Sequence, residues 1–263
     1  MKRSNRLLPR ILLGLAAVYL LLPFGVTLIY SLFMGWTDIL PSGFTLRNYA
    51  NLFGDPEFWT SIGNTLVLCA VSVLFTILLL LLAMYVVLVV NRRLGKVMQF
   101  VCMIPYALQG VILSISILSL YANAPGIFSN RILMLFGAYT ILVLPYIYQG
   151  IRNSLNTINA DMLIHAAEML GCNPFRAYLT VVLPTILPGI LVSALLAESI
   201  VFGDFVLANN IAGNNYQNIQ VFLNRRMFTS SGLASAIVVV IFAVVFLITG
   251  LVLKFQQNKN KEK

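Results

Sequence analysis

Few residues of this 263-residue chain could do chemistry, and they gather in two places. The first is His165 to Pro184, HAAEMLGCNPFRAYLTVVLP. It holds the single histidine, with Ala166, Ala167 and Glu168 following, Gly171 three residues on, and Leu183-Pro184 at its end. Small apolar residues with scattered charge suit close approach by another protein better than bond-making. The second is Glu198 to Gly213, ESIVFGDFVLANNIAG, where Glu198 and Asp204 interrupt an apolar run. A carboxylate in such surroundings attracts ammonium groups or cations, or is neutralised by a proton or hydrogen bonds.

Other chemistries lack their parts. Cys69, Cys102 and Cys172 stand far apart with no C-x-x-C pair, and His165 is alone, so neither a disulfide framework nor a histidine- or cysteine-rich metal site is supported. No G-x-x-x-x-G-K-[ST] phosphate loop occurs, so the chain is not expected to hydrolyse ATP itself. An intramembrane enzyme would need a convergent nucleophile, base or metal set, and Glu198 has no histidine partner at its depth. A Ser or Thr nucleophile remains open, yet nothing positions one. No catalytic residue, metal or cofactor is therefore assigned.

The elements that must position these residues are membrane helices. Hydrophobic residues make up 60% of the chain and charged ones 10%, far from a soluble domain. A span needs about 20 helical residues to cross roughly 30 Å of hydrocarbon. Six stretches qualify, near 11–33, 62–90, 97–121, 132–150, 184–208 and 233–253. They are continuously apolar, without the alternation of barrel strands, so the expected fold class is all-α, a six-span bundle forming one membrane domain over 1–263. Pro23, Pro105 and Pro145 fall inside spans, where each removes a backbone donor. The first run, preceded by Lys2, Arg3, Arg6 and Arg10, is longer than a usual signal-peptide core and lacks an A-x-A-like cleavage site, so it is expected to be retained.

Basic residues set the expected orientation. With the amino terminus inside, only Arg47, Arg131, Arg225 and Arg226 of the seventeen lysines and arginines face outward. Both termini are then cytoplasmic. Anionic lipid is partner enough for the +9 net charge, and no nucleic acid is needed. Trp36, Trp59 and Tyr216 suit an interfacial aromatic belt.

This orientation makes 151–183 a cytoplasmic loop, and its residues predict two short helices. Asn159 or Asp161 can cap the first, Met162 to Leu170 continue it, and Gly171 suits the left-handed position that ends it. Asn173 can cap the second with Pro174 at its first position.

These residues resemble the permease subunits of binding-protein-dependent ABC importers of prokaryotic cell membranes. Their cytoplasmic signature reads E-A-A, three residues, G, nine residues, I, one residue, L-P. Ala166 and Ala167 match the alanines, Gly171 the glycine, Val181 takes the isoleucine place, and Leu183 and Pro184 close the pattern. His165 replaces the glutamate, which leaves the docking geometry but removes the family's acid and could add pH sensitivity. FTLRNYANLF from Phe44 to Phe53, with Asn64-Thr65, is similar to the amino-terminal half of such permeases. The run from Glu198 to Gly213 is similar to the group handling polyamines, ferric iron or aminoalkylphosphonates.

The resemblance implies half of a translocation pathway, a second permease subunit (a copy or a relative), a cytoplasmic ABC ATPase dimer and an extracytoplasmic binding protein. His165, Ala166, Ala167, Glu168, Gly171, Leu183 and Pro184 would couple to the ATPase. Glu198 lies about 14 residues, roughly 21 Å, beyond Pro184. It is read either as a pathway residue favouring cationic or amine-bearing substrates, helped by Asp204, or as a structural acid at the interface with the second permease. Arg225 and Arg226 are read as headgroup-bound arginines or as a docking point for a binding protein. The alternative class is an ion-gradient-driven secondary transporter or channel, which would not need the cytoplasmic elbow; inverted internal repeats are not evident.

Overall fold

The computed structural model describes residues 7–35, 42–108, 110–213 and 215–261. Apart from one short hairpin it is a bundle of helices, the all-α architecture expected of a polytopic membrane chain. Among the described residues, five helical stretches are long and apolar enough to cross a membrane: Leu12–Ser31, Pro56–Val90, Arg131–Thr157, Pro174–Gly203 and Ser231–Lys254.

The expected third span differs from a straight helix. Helix α4 (Leu94–Met103) runs into a tight turn, Ile104–Ala107, and α5 (Gly110–Tyr121) leaves it bent by 102°. Pro105 sits in that turn, where its missing N–H removes a helical hydrogen bond. The pair makes a sixth span if it is counted as one.

The chain divides into two compact units. The first comprises Met1–Trp59 and Phe222–Ile248. Its α1 (Leu7–Ser31) keeps Pro23 inside the helix and exposes Leu13, Tyr19 and Leu20, as a lipid-facing helix would. Strands β1 (Phe33–Gly35) and β2 (Ser42–Phe44) pair antiparallel, Phe33 opposite Phe44. Trp36 lies outside the described residues. The FTLRNYANLF stretch supplies the end of β2 and then α2 (Arg47–Phe53), whose Asn48 amide donates to the carbonyls of Ser31 (3.0 Å) and Phe33 (3.3 Å). The Ser31 carbonyl is at the carboxyl end of α1, where the last carbonyls lack helical donors, and the Phe33 carbonyl belongs to β1. Helix α3 (Pro56–Tyr85) opens in this unit and α10 (Ile219–Met227) closes in it. Arg226 donates to Asp55 at 2.6 Å and to Glu57 at 3.4 Å, and lies over the Phe222 ring. It is thereby engaged within the fold rather than held out as a free docking cation. The first part of α11 (Ser231–Lys261) brings Phe242 edge-on to Phe24 of α1 at 5.2 Å.

The second unit comprises Thr60–Val221 and Thr249–Lys263. Its spine is α6 (Arg131–Thr157) against α9 (Leu183–Gly203). Asn130 caps α6, accepting from the Ile132 N–H at 2.9 Å, and Pro145 is carried inside the helix. Leu135, Val143, Ile147 and Ile151 of α6 and Ile186 and Ala197 of α9 are buried to within 1%. The two helices approach closely because glycine faces serine twice. A Cβ at Gly150 would overlap Ser193, and one at Gly189 would overlap Ser154. Each serine hydroxyl bonds within its own helix, Ser154 to the Gly150 carbonyl and Ser193 to the Ile190 carbonyl, so the contact is one of size.

Candidate functional site

The elbow between α6 and α9 is the site that the sequence singles out. Helix α6 runs to Thr157, so the expected loop from residue 151 begins a full turn or more later. Asn159 then turns the chain with φ 49° and ψ 59°, a left-handed conformation that asparagine tolerates better than most residues. It occupies the position before α7 (Ala160–Met169) as expected, but its side chain makes no capping bond. Asp161 falls in the first turn, where its charge favours the helix dipole.

The carboxyl end of α7 follows the sequence expectation closely. Gly171 has φ 82°. The Cys172 N–H reaches the Ala167 carbonyl at 3.0 Å, and the Gly171 N–H reaches Glu168 at 2.8 Å. This is the paired-bond stop that a left-handed glycine allows. Asn173 accepts from the Phe175 N–H at 3.0 Å and Pro174 takes the first position of α8 (Pro174–Ala177).

The second short helix is not separate from the membrane span. Helix α8 passes through a wider π turn, Tyr178–Val182, directly into α9, so Leu183 and Pro184 lie within one continuous helical run from Pro174 to Gly203. A proline at 184 offers no N–H to the preceding turn, and a π turn is the local adjustment that accommodates such a break. The elbow is thus joined to α9 by unbroken helix.

The elbow is firmly seated. Ile164, Ala177, Tyr178 and Val182 are buried, and the Tyr178 hydroxyl donates to the Leu81 carbonyl of α3 at 2.9 Å. Tyr85 packs its ring on Phe175 at 5.3 Å and on Tyr178 at 5.4 Å. Arg92, after α3, pairs with Asp161 of α7, and that bond raises the guanidinium pKa further. The opposite face is bare. Met162 is 72% exposed, Met169 88% and Leu170 89%, beside exposed His165 and Ala166. Ala167 is half-buried. His165 Nδ1 lies 3.0 Å from Glu168 Oε2, one turn on. Apolar side chains this exposed form a surface suited to a protein partner.

Glu198 and Asp204 are not brought together. Asp204 follows the last residue of α9 and acts as a cap, accepting from the N–H groups of Leu207 (3.1 Å) and Ala208 (3.2 Å). Tyr139 donates its hydroxyl to the same carboxylate at 3.2 Å, and Asn218 bonds the Asp204 carbonyl at 3.0 Å. Glu198 instead borders an apolar cleft of about 220 Å³ with Cys69, Val73 and Leu195. Among the described residues no side-chain hydrogen bond or ion pair engages its carboxylate, whereas that of Asp204 accepts from Tyr139, Leu207 and Ala208.

Two features escape the sequence expectations. The Arg92–Asp161 pair joins residues far apart in sequence and gives no local signal. The Gly150-x-x-x-Ser154 and Gly189-x-x-x-Ser193 spacings were legible as small-residue faces on two spans.

The comparisons with known proteins agree on the class. Residues 80–261 match the model of the family described as binding-protein-dependent transport system inner membrane component. The chain is 26% identical over 187 residues to the putative 2-aminoethylphosphonate transport system permease protein PhnV of Salmonella typhimurium, covering 71% of this chain and 70% of that one. It is 26% identical over 208 residues to the putrescine transport system permease protein PotI of Escherichia coli K12, covering 77% and 74%. Among solved structures, a bacterial ABC transporter that imports the acidic polysaccharide alginate superposes with a TM-score of 0.66 at 20% identity, over 97% of this chain and 98% of that chain. The inward-facing MetNI methionine ABC transporter gives 0.64 at 18% identity, over 78% and 98%. The family match covers most of the chain, including α6, the elbow and α9, and the protein therefore belongs to the inner-membrane permease components of binding-protein-dependent ABC importers.

Proposed function

We propose that this permease takes its drive from a cytoplasmic ABC ATPase dimer through the α7 elbow. In this reading residues 1–263 act as one permease domain, 151–183 form the coupling loop, and both termini face the cytoplasm. The observation that carries it is the elbow's two-sidedness: one face seated on α3 by Tyr178 and Phe175, the other presenting Met169 and Leu170 to solvent. His165, Ala166, Ala167, Glu168 and Gly171 shape the contact. Leu183 and Pro184 carry the displacement into α9. ATP hydrolysis belongs to the partner, and this chain contributes no catalytic group of its own.

A second permease subunit completes the pathway, and an extracytoplasmic binding protein delivers the substrate. The names of the PhnV and PotI relatives point to 2-aminoethylphosphonate and putrescine, which share an aliphatic amine. An amine-bearing substrate fits the unengaged carboxylate of Glu198. Asp204, occupied by its cap, supports the pathway rather than touching cargo.

The test is Ala167→Asp in membrane vesicles containing the assembled complex. It should abolish ATP-driven uptake or release the ATPase while the permease keeps its helical content. Full uptake with the ATPase still bound would remove the coupling assignment, and uptake driven by an ion gradient alone would remove the ATP-driven reading.

A further inference from the structure

We propose that the cleft between the end of α3, α4, α6 and α7 binds a phosphate-type anion, supplied either by an acidic phospholipid headgroup or by free inorganic phosphate. The cleft holds about 530 Å³. Its polar wall carries Arg92, Lys96 and Arg152 against one carboxylate, Asp161. Asp161 is taken by Arg92, which leaves two cations with no carboxylate in the cleft to neutralise them. Arg152 lies over the Tyr148 ring, 6.0 Å from its centroid. Gln99 and Asn156 add neutral donors to the same wall.

These groups fit a tetrahedral phosphate group better than a planar carboxylate. An arginine fork and a lysine point charge can take different oxygens of one phosphate, and the amides can reach the remainder. The other wall includes Val87 and Leu88, at the end of the apolar stretch Pro56–Val90. A charged head beside an apolar wall at the end of a span is the environment of an anionic lipid, and basic pockets between membrane helices are known places for such heads. The inference requires nothing of the coupling role, since the exposed docking side chains of α7, Met169 and Leu170, are not among the residues lining the cleft.

The full chain in detergent tests this by native mass spectrometry with phosphatidylglycerol and with phosphatidylcholine, and by thermal shift with millimolar inorganic phosphate. Removing both cations that lack a carboxylate in the cleft, in Lys96→Gln/Arg152→Gln, should lower anion retention about tenfold or more. Lys96 is exposed, so Lys96→Gln alone keeps the fold and should lower retention about threefold. Arg93→Gln, outside the cleft, should bind as the wild type does. Retained phosphatidylglycerol that phosphate does not displace identifies the lipid source; a thermal shift with phosphate alone, lost in the variants, identifies the free anion. Equal retention of both lipids with no phosphate shift overturns the site, as does wild-type binding by Lys96→Gln and the double variant.

Discussion

Gly150 of α6 lies directly against Ser193 of α9, and four residues along, Ser154 lies against Gly189 with the roles reversed. The two helices that carry the elbow are therefore fastened at one crossing by size alone. Adding a methyl group there is overpacking, which typically costs about 1–3 kcal/mol. Gly150→Ala should lower the melting temperature in detergent, and Ser193→Gly in the same chain should restore part of the loss. A double-mutant cycle measures the coupling, about 0.5–3 kcal/mol for residues in contact. Purely additive effects would show that the crossing is looser than the structure has it.

Gly171 isolates a backbone effect, because a Cβ there meets nothing within 4 Å while φ is 82°. An L residue in the left-handed region costs about 1–2 kcal/mol, and asparagine costs less. Gly171→Val should therefore weaken protection of the Cys172 amide, which bonds the Ala167 carbonyl, in hydrogen exchange. Gly171→Asn should lie between that variant and the wild type. Equal protection in all three would mean that the helix stop does not depend on the glycine.

Arg92 and Asp161 join the end of α3 to the first turn of α7 in an exposed pair, and exposed pairs add little to stability. Asp161→Arg should lower the melting temperature modestly, because a cation replaces a favourable charge at the first turn of α7 beside Arg92, and should reduce transport per ATP hydrolysed by loosening the elbow on its seat. The exchanged pair Arg92→Asp/Asp161→Arg should recover most of that ratio. A ratio unchanged in Asp161→Arg would confine the pair to the surface, without a part in coupling.

The sequence made the helical class, the family and the conformation of the elbow legible because each rests on a local signal. Long apolar runs declare spans, Gly171 declares a left-handed stop, and Asn173-Pro174 declares a helix start. What stayed hidden depends on where distant residues meet. The π turn Tyr178–Val182 before Pro184 reads as ordinary helix, so the merging of α8 with α9 had no local mark. The 102° bend near Pro105 was visible as a proline but not as a change of direction, since Pro23 and Pro145 stay inside helices. Asp204 looked like a partner for Glu198 because both interrupt one apolar run. Only the fold reveals that Tyr139 and two backbone N–H groups occupy it.

That separation of the two acids yields the sharpest contrast. Asp204→Ala removes a cap, worth about 0.5–2 kcal/mol, and leaves the Tyr139 hydroxyl with one partner fewer, at about 1–3 kcal/mol where burial makes the loss count. The variant should melt earlier and assemble poorly, whatever the substrate. Glu198→Gln keeps the shape of an unengaged side chain and should melt as the wild type does. Its effect should fall on uptake, as a raised KM for an amine-bearing substrate such as putrescine or 2-aminoethylphosphonate, with little change for an analogue lacking the amine. The paired measurement of melting temperature and uptake across both variants separates structure from pathway. A Glu198→Gln chain that transports the amine normally in an intact complex would place that acid at an interface instead.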